Sequence, residues 1–203
     1  MVDGYHHGNL RAAVLQRAVE VIAAQGPGAL TMRSLAADLG VSHTAPRHHF
    51  GSLTGVFTAV AAEGFSLLGE RMAAAGDSGA GFLEIGVSYV AFALTHPAHF
   101  QVMFSPSLLD GTDPSLAAAK GAVFAELTSG VEQMSAAGGI EDAAAAVVAG
   151  WGIVHGIATL ALTGNLDSAG LRPLIANGDI VAIARRSAGM LYGSPGSTRG
   201  DGS

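Results

Sequence analysis

The stretch TMRSLAADLGVSHTAPRHHF, residues 31–50, constrains the fold of this chain more than any other. Thr31 is a good N-cap for a short helix whose apolar residues recur four apart. Gly40 begins a turn of three residues that glycine closes without steric cost. Ser42 ends the turn and is placed to cap a second short helix, which tolerates Pro46 in its first turn. Two short helices joined by such a turn predict a helix-turn-helix.

The rest of the chain shows helical periodicity only. Apolar residues recur at intervals of three and four from about residue 10 to about residue 192, with breaks at glycine and proline. No segment shows the alternation of a half-buried strand, and no internal repeat is evident. We therefore predict an all-α fold of about nine or ten helices that begins with the helix-turn-helix.

Charge divides the sequence into two parts. The formal net charge is −6, but residues 1–60 carry +1 and residues 61–203 carry −7. Such asymmetry indicates different partners for the two parts. Cysteine is absent, which excludes disulfides and thiolate metal sites and fits the reducing conditions of the cytoplasm. The N-terminus lacks a basic segment followed by an apolar run, so we predict no signal peptide.

One segment, Ala143–Leu162, has no charge and is as long as a membrane span. Its residues are mostly alanine and glycine, which favour membrane insertion less than leucine, isoleucine or phenylalanine do. We therefore expect a buried helix here and no membrane partner.

Three stretches carry a resemblance to a known family. They are YHHGNLR at residues 5–11, the helix-turn-helix stretch with the preceding leucine, and WGIVHGIATLALTG at residues 151–164. With them the sequence resembles the TetR family of bacterial transcriptional regulators. The third stretch looks like the Trp-His-Gly signature of one subgroup's ligand-binding domain. The resemblance implies a dimeric repressor in which a small molecule changes the spacing of the two recognition helices.

The resemblance also implies the domain organisation. Residues 1–55 would form the helix-turn-helix DNA-binding domain, and residues 56–193 a larger helical domain for ligand binding and dimerisation. Residues 194–203 are rich in glycine and serine, so we predict a disordered tail. Two positions depart from the family. Arg47 stands where the family usually has tyrosine, and Leu53 where it often has lysine, both of which commonly contact phosphate.

The second helix of the motif is the expected recognition helix, whose N-terminal residues face base edges in the major groove. Thr31, Arg33 and His49 are candidates for phosphate contacts. An alternative for His49 is a structural role beside Phe50. The candidate DNA-binding residues are Thr31, Arg33, Ser42, His43, Thr44, Arg47, His48 and His49.

Trp151 and His155 are four residues apart, so they share one face of a helix. With other large apolar residues they could line an apolar pocket that has one polar group, although each phenylalanine could equally fill the core. The candidate ligand-binding residues are Phe65, Phe92, Met103, Phe104, Phe124, Trp151 and His155.

Gly152 and Gly156 would let a second helix approach closely, as at a dimer seam. The last helix is the natural second contributor to a four-helix interface, and packing within one chain is the alternative. The candidate interface residues are Val148, Gly152, Gly156, Thr159, Ile180, Ile183, Ala184 and Ser187.

Metal and enzyme chemistry are not favoured. His48 and His49 are adjacent on a helix and point apart, and His96 and His99 have ligand spacing but no evident third ligand. No glycine-rich phosphate loop or nucleophile elbow is present. We therefore expect no cofactor, no metal and no catalysis.

The predicted function is a cytoplasmic, homodimeric repressor that binds a palindromic operator and an apolar effector. The alternative is a small-molecule-binding helical dimer with weakened or lost DNA binding.

Overall fold

The computed structural model describes residues 10–77, 82–136 and 142–192, which form ten α-helices and no β-strand. The predicted all-α class is confirmed. The predicted tail lies outside the described residues. The helices are α1 Leu10–Gln25, α2 Met32–Asp38, α3 Ala45–Phe50, α4 Leu53–Asp77, α5 Phe82–Thr95, α6 Pro97–Met103, α7 Pro114–Ala136, α8 Ala143–Leu162, α9 Asn165–Ser168 and α10 Ile180–Tyr192.

The contacts between residues divide the chain into two compact units. Unit 1 contains the described residues up to 69 together with 96–123, and unit 2 contains the others. The division falls within α4 and within α7. This division is based on contacts between residues and not on sequence similarity. The domain boundary predicted at residue 55 therefore stays a prediction.

Local interactions explain where α2 begins and ends. The Thr31 hydroxyl accepts a hydrogen bond from the Ser34 N–H at 2.9 Å, and the Ser34 hydroxyl accepts one from the Thr31 N–H at 3.1 Å. This reciprocal pair is a capping box. At the other end, the Gly40 N–H donates to Ala37 and the Val41 N–H to Ala36, with Gly40 at φ +65°. These two bonds form a Schellman motif, which favours glycine at its left-handed position.

The recognition helix α3 begins later than the sequence predicted. Ser42 was expected to cap it, but Ser42 lies in the turn and Thr44 occupies the N-cap position. The prediction of a three-residue turn was therefore wrong. The physical reason is Pro46. With Ser42 as N-cap, residue 46 would have to donate the first helical hydrogen bond to the Ser42 carbonyl, and proline has no N–H.

Unit 1 is built on α1, which packs against α2, α3 and α6. Arg17 joins two of these helices, because its Nε donates to Asp38 at 2.9 Å while its Nη1 lies 3.0 Å from Glu20. Both pairs are exposed, so solvent screens them and they contribute little to stability. As the helical periodicity from about residue 10 predicts, α1 has a buried apolar face, which includes Leu10, Val14, Ala18 and Ile22.

Two contacts fix α4 against the segment 96–113 of unit 1. His99, 7% exposed, lies with its Nε2 3.0 Å from the Glu63 carboxylate. Thr58, 2% exposed, accepts a hydrogen bond from the Asp110 N–H at 2.9 Å. Both buried polar side chains therefore have partners, as buried polar groups generally require.

Unit 2 is built on α5, α8 and α10, each of which packs against the other two. The Arg185 guanidinium makes two parallel bonds of 2.8 and 2.7 Å to Glu84, and these lower the pKa of that carboxyl. Among the described helices, α8 is the one long and apolar enough to cross a membrane. Core helices of soluble proteins meet the same criteria.

Candidate nucleic-acid interface and effector site

All eight candidate DNA-binding residues are exposed, on α2, on α3 or on the segments that lead into these helices. DNA can contact only side chains on the protein surface, so the exposure of all eight residues fits the predicted role. Thr31 is at the N-cap of α2, so the free N–H groups of that helix lie beside it. Ser42, His43 and Thr44 lie in the turn that leads into α3.

The structure brings four of these eight residues together. Arg33, His43, Thr44 and Arg47 line, with Met32, a concave surface of about 600 Å³ that we call the α2–α3 cleft. Neither arginine forms an ion pair with a carboxylate of the described residues. Their positive charge therefore remains available to a polyanion, and an arginine fork fits both phosphate and the paired acceptors of guanine.

His49 is placed differently from the other candidates. It lines another cleft of unit 1, together with Arg11 and Phe50. Its ring lies 6.5 Å from the Phe50 ring, and the Arg11 guanidinium lies 5.3 Å from the same ring. These contacts are compatible with the structural role that the sequence left open for His49. Its side chain is nevertheless exposed, so the phosphate contact stays a prediction.

The candidate ligand-binding residues fall into both units. In unit 1, Phe65 meets Phe104 edge-on at 5.7 Å, and Phe104 also meets Phe100. Met103 is buried beside Gly64. Lys120, the only lysine of the chain, lies over Phe65 with its Nζ 5.6 Å from the ring centre. This aromatic cluster therefore includes a cation that the sequence analysis did not select.

In unit 2, the Trp151 ring meets Phe124 at 6.4 Å and His155 at 5.6 Å. A buried residue that the sequence analysis missed joins this group, because the Tyr89 hydroxyl lies 2.9 Å from His155 Nδ1. Trp151 Nε1–H donates to the same hydroxyl at 3.4 Å. Phe92, on the same helix as Tyr89, is fully buried.

Burial changes the acid–base properties of this polar group. It raises the pKa of the Tyr89 phenol and lowers the pKa of His155. The charged forms are disfavoured where water is excluded. At neutral pH the three side chains of Tyr89, Trp151 and His155 therefore form an uncharged hydrogen-bonding group, buried at Tyr89 and half-buried at the other two, beside the apolar ring of Phe124. Such a combination suits a ligand that is mostly apolar.

A signal for Tyr89 was present in the sequence. A tyrosine in the otherwise apolar helix FLEIGVSYVAFALT needs a hydrogen-bond partner for its hydroxyl when it is buried. The partner lies 66 positions away, and no local pattern indicates which residue it is.

Acid titration of Trp151 fluorescence should detect this group. Lowering the pH should quench the emission with a midpoint below about 6.5, because the pKa of His155 is lowered and a cationic imidazole quenches a neighbouring indole. By linkage, folding also loses stability as the pH falls below the pKa of the unfolded chain, near 6.5. His155→Gln should abolish the step, whereas His48→Gln should retain it. A step that persists in His155→Gln would assign the quenching to another group.

The candidate dimer residues are distributed over α8 and α10. Val148 is 67% exposed, Gly152 is exposed, and a Cβ added to Gly152 or Gly156 would meet nothing within 4 Å. Ile180 and Ala184 are instead buried within the chain. Thr159, Ile183 and Ser187 are half-buried.

No group of three or more metal-ligating side chains occurs among residues 10–77, 82–136 and 142–192. The His96 and His99 rings do meet, at 5.8 Å. His99 also faces the carboxylate of Glu63.

A capped helix, a Schellman turn and a second helix, with one exposed arginine on each helix, define a helix-turn-helix DNA-binding regulator. Residues 14–60 match the profile of the bacterial regulatory proteins of the TetR family. Residues 82–176 match the tetracycline-repressor-like C-terminal domain. The two profiles describe the two domains of one family and cover most of the chain. The chain therefore belongs to the TetR family of transcriptional regulators. Its place in the Trp-His-Gly subgroup stays a prediction.

Solved structures support the fold over nearly the whole length. A protein of unknown function from Rhodococcus sp. RHA1 is 28% identical with a TM-score of 0.74, over 94% of this chain and 99% of that one. A TetR-family regulatory protein from Rhodococcus RHA1 is 23% identical with a TM-score of 0.62, over 94% and 96%. The TetR-family regulator PfmR from Thermus thermophilus is 18% identical with a TM-score of 0.63, over 88% and 96%. Among curated protein sequences, none matches the chain.

Proposed function

We propose that the chain is a cytoplasmic repressor that binds a palindromic operator as a homodimer and releases it when an apolar small molecule binds. The α2–α3 cleft carries this proposal. It presents Arg33 and Arg47 without carboxylate partners among the described residues, beside the start of the recognition helix, in a protein whose net charge is −6. A cation pair held apart from the acidic residues in this way is suited to a phosphate backbone.

Replacing Arg47 tests this function. Arg47→Ala should weaken operator binding by about tenfold to a hundredfold, the range for a residue that contacts a base or a desolvated phosphate. If the contact is to phosphate, the slope of log affinity against log salt should also decrease by about one unit. The measurement is fluorescence anisotropy with labelled DNA from the protein's own upstream region, at several salt concentrations.

The matched control is Arg186→Ala, because Arg186 is exposed on α10 of unit 2. It should leave operator affinity unchanged. If the unsubstituted protein bound no upstream fragment at any salt concentration, the alternative would be favoured, namely a small-molecule-binding dimer that has lost DNA binding. Leu53, half-buried at the start of α4, would then mark the loss of a phosphate contact.

The homodimer is proposed from the surface of α8. Although this helix has no charge, only Gly150, Val154 and Ala158 are buried within the chain. Val148 and Leu160 are large, apolar and exposed. An exposed apolar helix face that includes small residues is suited to a second copy of the same helix. A two-fold axis would relate the two recognition helices, so the operator would be an inverted repeat.

Gly152→Leu should convert the proposed dimer into a monomer. The added Cβ meets nothing within 4 Å in one chain and Gly152 is exposed, so folding should survive, but the side chain would occupy the space where the partner helix approaches. Gly121→Leu is the matched control, since Gly121 is also an exposed helical glycine with open space around it. Light scattering gives the mass of each variant. A Gly152→Leu protein that stays dimeric would place the interface elsewhere.

The effector is proposed to bind at the aromatic group around Trp151 in unit 2, and the cluster around Phe65 in unit 1 is the second candidate. The chain has one tryptophan, so its fluorescence reports on the first group alone. Small apolar ligands that change this signal should also raise the protein concentration needed for half-saturation of the operator. A ligand that changes the Trp151 fluorescence but not the operator affinity, or the reverse, would show that binding at this group does not control DNA binding.

A further inference from the structure

The second cleft of unit 1 has a volume of about 360 Å³ and lies between α1, the end of α3, α4 and the start of α7. We call it the α1–α4 cleft and define it by Arg11, Phe50, Glu63, Ser66, Asp113 and Ser115. Its volume is within the range of small-molecule sites, about 300–1,000 Å³. None of these six residues belongs to the DNA-binding or effector sets predicted from the sequence, whereas His49 of the DNA-binding set also lines the cleft.

One end of the cleft is cationic. The Arg11 guanidinium lies over the Phe50 ring, 5.3 Å from its centre, which restricts its position. No carboxylate of the described residues is within ion-pair distance of Arg11. The contact with the ring uses none of the guanidinium N–H groups as hydrogen-bond donors to a carboxylate, so they can bind one with two parallel hydrogen bonds.

The other end is anionic. Phe50 touches α4 at Gly55, and Glu63 follows eight residues later, about 12 Å further along the helix. The Oε2 atom of Glu63 faces His99, while Oε1 has no hydrogen-bond partner in the described part of the chain. The Asp113 carboxylate, also in the cleft wall, accepts the Leu116 N–H through Oδ1. The hydroxyls of Ser66 and Ser115 add acceptors for an ammonium group.

We infer that the α1–α4 cleft binds a short molecule with a carboxylate at one end and an ammonium group at the other, the carboxylate on Arg11 and the ammonium on Glu63. Its length is that of an extended peptide of about three residues, which spans about 10 Å. A ligand with one charge leaves either Arg11 or the Oε1 atom of Glu63 without a partner. A ligand with both charges satisfies each end and adds no net charge to the cleft. The occupant also contacts Phe50, the last residue of the recognition helix α3.

Isothermal titration of the full chain with three peptides tests this inference. The peptides are trialanine, which has both charges, N-acetyl-trialanine, which has the carboxylate alone, and trialanine amide, which has the ammonium alone. Trialanine should bind about twofold to fivefold more tightly than either of the others, the discrimination expected from one exposed charge pair. Equal affinity for all three peptides, or binding of none, overturns the inference. N-acetyl-trialanine binding as tightly as trialanine would show a simple anion site and would also overturn it.

Two substitutions test which end of the α1–α4 cleft binds each charged group of the peptide. Arg11→Met should make trialanine and trialanine amide bind equally, because the carboxylate no longer has a partner. Glu63→Gln, which keeps an acceptor for His99, should make trialanine and N-acetyl-trialanine bind equally. Arg186→Met, far from the cleft in sequence and in the other unit, should change none of the affinities. The comparison of the three peptides on the unsubstituted protein stands even if a variant fails to fold.

Discussion

Gly55→Ala should destabilise the protein by about 3 kcal/mol, at the upper end of the usual cost of overpacking. A Cβ on Gly55 would overlap the carbonyl oxygen of Phe50, which is backbone and cannot rotate away. That carbonyl also accepts the Ser52 N–H at 2.7 Å, within the tight connection from α3 to α4. The melting temperature should fall by roughly 6–12 °C for a chain of this length. Calorimetry or chemical denaturation measures both quantities.

The Gly55→Ala protein that remains folded should also bind the operator more weakly. Phe50 ends the recognition helix, so relief of the overlap must displace α3 relative to α4. We expect at least about a tenfold loss of operator affinity for the protein that remains folded, corresponding to about 1.4 kcal/mol. The control is Gly69→Ala on the same helix, where the new Cβ would meet Val123 at an ordinary 3.6 Å. Because alanine favours helix over glycine, Gly69→Ala should stabilise by up to about 1 kcal/mol. An unaffected Gly55→Ala protein would refute the close contact.

Gly64→Ala should destabilise by about 2 kcal/mol through a different contact. A Cβ here would lie 2.6 Å from Met103 Sδ and 3.0 Å from His99 Cβ, both on α6. Gly64 therefore sets how closely α4 and α6 of unit 1 can pack. The methionine side chain is buried, so it has little space into which to move.

A double-mutant cycle identifies the source of this cost. Met103→Ala alone should destabilise by about 3 kcal/mol, because it removes a buried side chain and leaves a cavity. Combined with Gly64→Ala, the total should be smaller than the sum by about 1–2 kcal/mol, since the new methyl group enters space that the methionine left. Strict additivity would show that the two residues do not interact. Chemical denaturation of the four proteins gives the required free energies of unfolding.

The sequence predicted the helices well and their exact connections less well. The apolar face of α1 and the cap at Thr31 are confirmed, because both depend on residues within a few positions of each other. The N-cap of α3 was placed at Ser42 and lies at Thr44 instead. Ser42 is a good capping residue by type, but Pro46 cannot donate the hydrogen bond that this cap would require.

The candidate sites show the same difference between local contacts, which the sequence predicted, and distant contacts, which it did not. The cleft formed by Arg33, His43, Thr44 and Arg47 could be anticipated, because all four residues belong to one local motif. The hydrogen bond between Tyr89 and His155 could not, since nothing in either helix specifies the other. The predicted interface on α10 mixed half-buried and buried residues, because the same apolar periodicity serves packing within a chain and between chains.

The sequence by itself determined the helical class, the helix-turn-helix and the family, since periodicity, capping and turn formation are local and leave local patterns. Only the tertiary structure decided that Arg11 lies over the Phe50 ring, that Glu63 faces a buried histidine and that Gly55 and Gly64 leave no space for a methyl group. Most of these contacts join residues distant in the chain, and their cost or benefit depends on small differences in distance. Close packing sets such distances, and it is a property of the folded chain as a whole.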